Sequence, residues 1–247
     1  MKINIVSSDE RYKLAKDLLN EKGYEARLCT PDNVDECNCL LLSVRRELSD
    51  DELEKVLTRI TKETVVLCGD DERIEKLFDG KIINYSKDSD FLLQNARLTS
   101  EATVSFLHNC TKDELWGKTV FVSGYGRIGR ELCRILKSLR CTVLAYARRE
   151  EVRWKIQNDG VIPTKLCDCK NASIIINTVP CQIYTQEIID EIPKDALIVE
   201  LASKPYGFAN MNRVILGSAL PGKILPIGAS KVVCDTVCKI LSETEKE

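Results

Sequence analysis

The sequence contains a single histidine, His108, and no apolar run that approaches the roughly 18 residues of a membrane-spanning helix. It also lacks an excess of positive charge, since 36 Lys and Arg face 38 Asp and Glu, for a formal net charge of −2 at pH 7. These absences argue against a His-rich metal site, a membrane protein and a general nucleic-acid-binding protein. Because no targeting segment is evident either, we expect a cytoplasmic protein.

The 12 cysteines lack the spacing of a zinc ribbon or a redox motif. Two C-x-C pairs, Cys37/Cys39 and Cys167/Cys169, lie far apart in the chain, and no C-x-x-C occurs. We therefore interpret the cysteines as small buried hydrophobic residues in a reducing compartment and predict no metal site.

Short runs rich in Ile and Val alternate with amphipathic stretches, which is typical of parallel β-sheets covered by helices. The predicted strands are 3–6, 39–44, 64–68, 82–85, 119–123, 142–146, 173–177, 197–202 and 213–217. The predicted helices are 12–22, 50–60, one that begins near position 98, 128–139, 151–159 and 229–241. Ser49 with Glu52 predicts a capping box for the second helix, and Thr99 or Ser100 is the predicted cap of the third.

A glycine fingerprint, G-x-G-x-x-G, stands between a predicted strand and a predicted helix. Gly124 permits a tight turn, Gly126 lets backbone approach a pyrophosphate, and Gly129 lets the helix lie close to the strand. The free N–H groups at the helix start favour an anion. The predicted cofactor loop is therefore Gly124, Tyr125, Gly126, Arg127, Ile128 and Gly129.

The residues after the next predicted strand bear on which dinucleotide binds. An NAD site usually has Asp or Glu about 20 residues after the fingerprint, where the carboxylate accepts from the ribose 2′-hydroxyl. Here Arg148 and Arg149 occupy that place, and two guanidinium groups suit a 2′-phosphate. The sequence therefore favours NADP over NAD. The alternative is that both arginines belong to a solvated helix start and pair with Glu150 and Glu151.

The fingerprint and the alternation together predict an α/β protein with a C-terminal Rossmann dinucleotide-binding domain and a smaller N-terminal flavodoxin-like α/β domain. We assign residues 1–95 to the N-terminal domain and 243–247 to an acidic tail. Residues 96–242 form the predicted NAD(P)-binding domain, including the linking and C-terminal helices. A return of the C-terminal helix to the first domain is the alternative, which nothing in the pattern requires.

Turns of small, polar or proline residues follow the later predicted strands, at 177–180, 202–205 and 218–222. Ligands of an open parallel sheet bind beyond the carboxyl ends of its strands, so we expect these turns to face the nicotinamide half of the cofactor. Ordinary turn chemistry is the alternative for any one of them. The expected cofactor contacts in these turns are Thr178, Val179, Pro180 and Ala202.

These motifs resemble the family of dipicolinate synthase A, one component of a bacterial two-component enzyme, over most of the chain and most closely from 91 to 222. The family's Gly-Gly-Asp-x-Arg turn is matched by Asp9 and Arg11, with serines in place of both glycines. The stretch 95–102 is similar to its Asn-x-x-x-Thr-x-Glu-Gly segment. Its Asn-Thr-hydrophobic-Pro, Leu-Ala-Ser-x-Pro and Leu-Pro-Gly-Lys turns resemble 177–180, 201–205 and 220–223.

The resemblance implies an enzyme of spore formation, in the mother cell, that works with the flavoprotein-like second component, dipicolinate synthase B. Together they would convert a hydroxytetrahydrodipicolinate to the aromatic dicarboxylate dipicolinate with a nicotinamide cofactor. Loss of water and of two hydrogens requires a site that holds two carboxylates, orients one C–H bond and offers a proton acceptor. Homo-oligomerisation is a family-level expectation.

Site roles follow from this chemistry. Glu101 is the expected base, because the resemblance puts it at the start of the linking helix, where the domains should meet; a carboxylate that merely favours the helix dipole is the alternative. Lys204 is the second expected catalytic residue, and its ammonium group would bind a substrate carboxylate. The alternative is a surface lysine in a turn. The expected substrate ligands are Asp9, Arg11, Arg97, Asn177 and Ser203.

One competing family is disfavoured, and one departure from the dipicolinate synthase family leaves other functions open. D-2-hydroxyacid dehydrogenases pair the same two kinds of domain, but they use a general-acid histidine after the fingerprint, and this chain has none beyond His108. The dipicolinate family's acid is missing from the turn 205–209. The alternatives are therefore a catalytically idle NADP-binding protein that stabilises or regulates a partner, and a diverged oxidoreductase that acts on another small carboxylate.

Overall fold

The computed structural model describes residues 1–244 and contains two parallel β-sheets flanked by helices. The strands are β1 (Lys2–Val6), β2 (Glu25–Leu28), β3 (Cys39–Leu42), β4 (Val65–Cys68), β5 (Ile82–Asn84), β6 (Thr119–Ser123), β7 (Thr142–Tyr146), β8 (Ile162–Pro163), β9 (Ile174–Asn177), β10 (Leu197–Glu200) and β11 (Val214–Leu216). The helices are α1 (Glu10–Glu21), α2 (Asp50–Leu57), α3 (Glu72–Leu77), α4 (Ser89–Thr111), α5 (Arg127–Ser138), α6 (Glu150–Asn158), α7 (Gln186–Glu191), α8 (Leu220–Ile224) and α9 (Pro226–Thr244). None of these helices is long and apolar enough to cross a membrane.

The chain divides into two compact units. Met1–Asn95, together with the residues from Pro221 onward, forms the first unit, and Ala96–Leu220 forms the second. The first sheet has the order β2-β1-β3-β4-β5, which is the flavodoxin-like order. The second has the order β11-β10-β9-β6-β7-β8, with a reversal between β6 and β9. The predicted α/β fold class, with a Rossmann domain and a flavodoxin-like domain, is confirmed.

The middle strands of the second sheet are buried because helices cover both of its faces. Val120, Phe121 and Val122 of β6 are completely inaccessible, and β9 is buried at every position. One core packs these strands against α4, α5 and α6, and another packs them against the segment around Tyr184 and Phe208. These two layers hold the carboxyl ends of β6, β9 and β10 in fixed positions.

Helix α4 begins earlier than the sequence predicts. It starts at Ser89, where the Asp88 carboxylate accepts a hydrogen bond from the Phe91 N–H at 2.8 Å. The Ser100 hydroxyl donates to the Ala96 carbonyl at 2.9 Å, which is the mid-helix behaviour of serine and not that of a cap. The predicted start near position 98, with Thr99 or Ser100 as the cap, is therefore wrong. Asp88 is the N-cap signal that the prediction overlooked.

The assignment of the C-terminal helix to the second domain is also wrong, since α9 belongs to the first unit. It packs along α1, and Lys22 Nζ lies 3.1 Å from the Asp235 carboxylate. Lys239 of α9 binds the carboxylate of Asp88 at 2.8 Å. The apolar period of α9 predicts a buried helix, but period alone does not identify the surface that covers it. Within the predicted tail, 243 and 244 end α9, and 245–247 lie outside the described residues.

Most of the 12 cysteines are buried, and all are free thiols. Burial raises the pKa of Cys37 and of Cys68 to about 11, so both stay protonated at neutral pH. Cys167 and Cys181 are the exposed ones. This distribution agrees with the interpretation of the cysteines as small core residues.

The predicted capping box at α2 is present. The Ser49 Oγ accepts from the Glu52 N–H at 3.3 Å, and the Glu52 carboxylate accepts from the Ser49 N–H at 2.8 Å. Ser49→Ala should therefore lower the free energy of unfolding by about 1 kcal/mol, measured by urea denaturation followed by circular dichroism. Ser105→Ala is the control, because Ser105 is exposed inside α4, where alanine is the better helix former. Equal losses in both variants would contradict a role for the box.

Candidate functional site

The three fingerprint glycines lie in the loop from β6 to α5, and their surroundings differ. Gly124 has φ +93°, and a Cβ there would overlap the Thr178 hydroxyl; one at Gly129 would overlap the Gly124 carbonyl oxygen. Gly126 has nothing within 4 Å of its Cβ position. Packing inside the protein therefore requires Gly124 and Gly129, whereas Gly126 borders open space in which a ligand's pyrophosphate can approach the backbone.

The N-terminus of α5 suits an anion. Gly126 is its N-cap, no side chain caps it, and its first turn contains no acidic residue. The first N–H groups of the 12-residue helix, and its positive dipole end, therefore lie next to Gly126 with no side-chain cap. Arg127 and Ile128, both in the predicted cofactor loop, are the first two residues of α5. The loop fits the pyrophosphate of a dinucleotide.

Tyr125, also predicted as a cofactor contact, uses its hydroxyl elsewhere. The hydroxyl donates to the Asp159 carboxylate at 2.9 Å, and Arg130 Nε donates to the same carboxylate at 2.7 Å. Burial, together with the hydrogen bond to Asp159, raises the pKa of Tyr125. The side chain of Tyr125 thus fixes the start of α5 to the end of α6, and its backbone remains part of the loop.

Arg148 and Arg149 lie one residue beyond the end of β7, after the buried Ala147, and both are exposed. Arg149 is the N-cap of α6, so the alternative of an exposed helix start holds for its position. Within residues 1–244 neither guanidinium makes an ion pair, so the pairing with Glu150 and Glu151 that this alternative included is not found. The carbonyl of Arg148 accepts from Arg153 at 3.2 Å, which fixes the backbone of this corner. Two guanidinium groups are therefore available to an anion at the end of β7.

Asn177, predicted as a substrate donor, is completely buried at the end of β9. Its Nδ2 donates to Glu200 at 2.8 Å and to the Val179 carbonyl at 2.9 Å. Its Oδ1 accepts from Ser123 Oγ at 2.8 Å and from the Val179 N–H at 3.1 Å. The prediction is corrected here, because protein groups use the whole amide. Asn177 shapes the turn 177–180 and does not face a ligand.

The same turn lies against the fingerprint. The Thr178 hydroxyl donates to the Ser123 carbonyl at 2.9 Å, and Thr178 and Val179 occupy the space beside Gly124. Pro180, the last residue of the turn, is exposed. Because β6 and β9 flank the reversal in strand order, this is where ligands of such sheets bind. The structure brings three of the predicted cofactor contacts to that point.

Glu200, at the end of β10, is the residue that the sequence reasoning missed. Its carboxylate is only 1% exposed, and it accepts from the Ala202 N–H at 2.9 Å and the Gly207 N–H at 2.7 Å as well as from Asn177. Burial raises the pKa of Glu200, and these hydrogen bonds oppose the rise. The available signal was a carboxylate that ends an otherwise apolar strand.

Ser203 and Lys204 are exposed in the loop that follows Glu200. Lys204 Nζ lies 6.0 Å from the centre of the Tyr206 ring and has no carboxylate partner among residues 1–244. Ala202, predicted as a cofactor contact, is half-buried and anchored through its N–H to Glu200. The loop therefore presents one hydroxyl and one ammonium group to solvent from a fixed backbone.

Glu101 and Arg97 are exposed on α4. The placement of Glu101 at a helix start is wrong, since α4 begins 12 residues earlier, at Ser89. The alternative, in which the helix dipole stabilises Glu101 in the first turn, is therefore excluded too. Ser100 donates to the Ile128 carbonyl at 3.1 Å, which joins this part of α4 to the fingerprint helix. Arg97 and Glu101 are one turn apart and share a face of α4.

Asp9 and Arg11, predicted as substrate ligands, form a buried pair in the first unit. Asp9 caps α1 through the Arg11 N–H at 3.0 Å, and its carboxylate lies 3.0 Å from the Arg11 guanidinium. Arg11 is 3% exposed, and a Cβ at Gly222 would overlap the Asp9 carboxylate. The prediction is corrected: both charges are satisfied by each other and face protein, not an open site.

The serines that replace the family's glycines bind a carboxylate of the chain itself. The hydroxyls of Ser7 and Ser43 donate to Glu47 at 3.0 and 2.7 Å, and the Ser8 N–H donates to it at 2.9 Å. This cluster closes the carboxyl ends of β1 and β3 in the first unit.

Comparison with known proteins identifies the family. Residues 79–202, half of the chain, match the family described as D-isomer specific 2-hydroxyacid dehydrogenase, NAD binding domain. The chain belongs to this family. Its membership rests on the dinucleotide-binding domain, so it supports a nicotinamide dinucleotide as the cofactor. The reaction of the hydroxyacid dehydrogenases does not follow, because the chain has no histidine after His108.

One relative and one solved structure are both dipicolinate synthase A. The chain is 27% identical over 177 residues to dipicolinate synthase A of Bacillus subtilis (strain 168), an alignment that covers 68% of this chain and 60% of that relative, less than two thirds of its length. The crystal structure of dipicolinate synthase A from Bacillus halodurans has a TM-score of 0.84 at 20% identity, with 97% of each chain covered.

Two further structures have the same fold. Dipicolinate synthase A from Bacillus subtilis has a TM-score of 0.79 at 22% identity, over 100% of this chain and 98% of that one. The apo-structure of D-lactate dehydrogenase from Escherichia coli has a TM-score of 0.68 at 16% identity, over 100% and 97%. The predicted resemblance to dipicolinate synthase A is confirmed.

Proposed function

We propose that the chain is an NADP-dependent oxidoreductase of the dipicolinate synthase type. Its substrate would be a hydroxytetrahydrodipicolinate, which loses water and then one hydride and one proton to become dipicolinate. The observation that carries the proposal is the carboxyl edge of the second sheet, where an open glycine loop, two unpaired arginines and the turn 177–180 come together in a chain similar to dipicolinate synthase A.

The cofactor assignment to NADP rests on Arg148 and Arg149. Both are exposed at the end of β7, where a 2′-phosphate would lie, and no carboxylate of residues 1–244 neutralises them. The α5 N-terminus would hold the pyrophosphate through backbone N–H groups. When bound, the nicotinamide supplies the hydride acceptor.

The substrate assignment rests on exposed groups of the second unit. Arg97, Ser203 and Lys204 offer charged and neutral donors to two carboxylates, and Glu101 offers a proton acceptor on the same helix face as Arg97. The ring hydroxyl and one ring proton first leave as water. The oxidation that follows needs these groups to hold the ring with one C–H bond directed at the nicotinamide, which would accept the hydride, while Glu101 takes the proton. Asp9, Arg11 and Asn177 have no part in this step.

A second candidate is a catalytically idle NADP-binding protein that stabilises a partner. The observation that favours it is the burial of Arg11 and Asn177, which leaves fewer side chains for the substrate. The missing acid in the turn 205–209 favours it as well. In either case we propose the flavoprotein-like dipicolinate synthase B as the partner and sporulation as the setting, on the strength of the same similarity.

The deciding experiment mixes the purified chain with freshly generated hydroxytetrahydrodipicolinate and NADP, with and without dipicolinate synthase B. We expect the ultraviolet absorbance of dipicolinate to rise together with that of NADPH in at least one mixture. Binding of NADPH with no dipicolinate in either mixture would contradict the proposed reaction and favour the idle NADP-binding protein. NADP reduction by another small carboxylate substrate alone would point to the diverged oxidoreductase.

A further inference from the structure

The Glu200 carboxylate joins two turns that are far apart in the sequence. The Asn177 Nδ2 of the first turn lies 2.8 and 3.0 Å from its two oxygens. From the second turn, the Ala202 N–H donates to Oε1 and the Gly207 N–H donates to Oε2. One buried carboxylate therefore fixes the start and the end of the loop 202–207 and the head of the turn 177–180.

The packing around Gly207 makes this spacing tight. A Cβ at Gly207 would overlap the amide of Asn177, so the loop lies directly on the turn. The Gly207 carbonyl accepts from the N–H groups of Ile183 and Tyr184, each at 2.9 Å. The loop is thus fixed from one side by Glu200 and from the other by the segment 183–184, and Gly207 has no room to move toward either.

No charged side chain of residues 1–244 neutralises Glu200. Its partners are two backbone N–H groups and one amide, and the nearby titratable group is the buried phenol of Tyr184, whose hydroxyl donates to Ser123 Oγ at 3.0 Å. A charge held in this way needs every donor, because an unpaired buried group is costly. The arrangement therefore tolerates only one position of the loop.

We propose that Glu200 is a positioning residue for the cofactor and substrate groups of the second unit. It sets the spacing between Thr178 and Val179 on one side and Ser203 and Lys204 on the other, so that both sets face the nicotinamide half of the dinucleotide. This inference rests on the proposed function. The carboxylate acts through the two turns and touches neither ligand.

Glu200→Gln tests the inference, because either orientation of the glutamine amide directs its NH₂ group at one of the two backbone N–H donors. We expect the dissociation constant for NADPH to rise about tenfold, the order set by one buried donor that loses its acceptor. Hydrogen exchange should accelerate by a similar factor in the segment 201–209 and stay unchanged in β7. Tyr184→Phe is the matched control, since it removes the bond to Ser123 at the other end of the network and leaves the donors to Glu200 in place.

A second variant reaches the loop without altering the carboxylate. Gly207→Ala pushes the loop off Asn177, so it should reproduce the loss of NADPH affinity and the faster exchange even if Glu200→Gln fails to fold. NADPH affinity that Glu200→Gln or Gly207→Ala leaves unchanged would overturn the inference. A Tyr184→Phe variant with the same loss of affinity and the same faster exchange in 201–209 would overturn it as well. If the wild-type chain does not bind NADPH, the proposed function fails, while the exchange comparison still decides whether Glu200 anchors the loop.

Discussion

Valine in place of Gly126 should weaken NADPH binding by about a hundredfold or more, because its side chain would fill the space in which a pyrophosphate approaches the backbone. The free protein should tolerate the change. A Cβ at this position meets no atom within 4 Å, and φ −79° with ψ −162° is extended backbone that any residue adopts. The thermal midpoint of unfolding should therefore stay almost constant while affinity is lost, as measured by calorimetry and by fluorescence titration with NADPH.

Gly129→Val provides the contrast. A Cβ there would overlap the carbonyl oxygen of Gly124, so this variant should lose thermal stability as well as NADPH affinity. If Gly126→Val bound NADPH as tightly as the wild type, the dinucleotide would have to bind somewhere other than the β6–α5 loop.

Replacement of both Arg148 and Arg149 by alanine should remove about a hundredfold from the preference for NADPH over NADH, since two charge-assisted contacts to a 2′-phosphate are lost. The affinity for NADH should change little, because NADH has a hydroxyl at that position. The ratio of the two dissociation constants is the quantity to measure. In the wild type this ratio should also shrink as salt is added, because both guanidinium groups are exposed.

Arg134→Ala is the control for this double variant. Arg134 is an exposed arginine of α5, 81% accessible, that pairs with Glu131 at 3.6 Å and lies away from the end of β7 along the chain. It should leave the preference for NADPH unchanged. An equal preference in the double variant and the wild type would mean that neither Arg148 nor Arg149 recognises a phosphate.

The sequence predicts the strands that are buried on both faces, because such strands consist of a continuous run of apolar residues. β6 and β9 lie in the middle of a sheet covered on both faces, so their sequences contain little else. The missed strands are at or near the sheet edges: β2 buries only Ala26, and β8 has two exposed residues. The missed helices α3, α7 and α8 have six, six and five residues, too short for a helical period to emerge. Helix α8 begins inside the segment 218–222, so the prediction of a plain turn there is wrong.

In the candidate site, too, some residues were predictable from the sequence and others were not. The fingerprint was predictable because its chemistry is local: three glycines, a strand before and a helix after. The role of Asn177 was not, because it depends on Glu200, which only the tertiary structure brings near. Arg11 has a local partner in Asp9, but the sequence does not show that this pair is buried and that Asp9 lies against Gly222. A side chain's type and its place at a strand end do not reveal whether it faces a ligand or the interior.

The return of α9 to α1 has a consequence for synthesis on the ribosome. The first unit begins the chain, yet α1 lacks its helical partner until the residues from Pro221 onward have emerged. By then Ala96–Leu220, which contains every strand of the second sheet, has already been made. The unit that holds the glycine loop can therefore complete its core while the first unit still lacks α9.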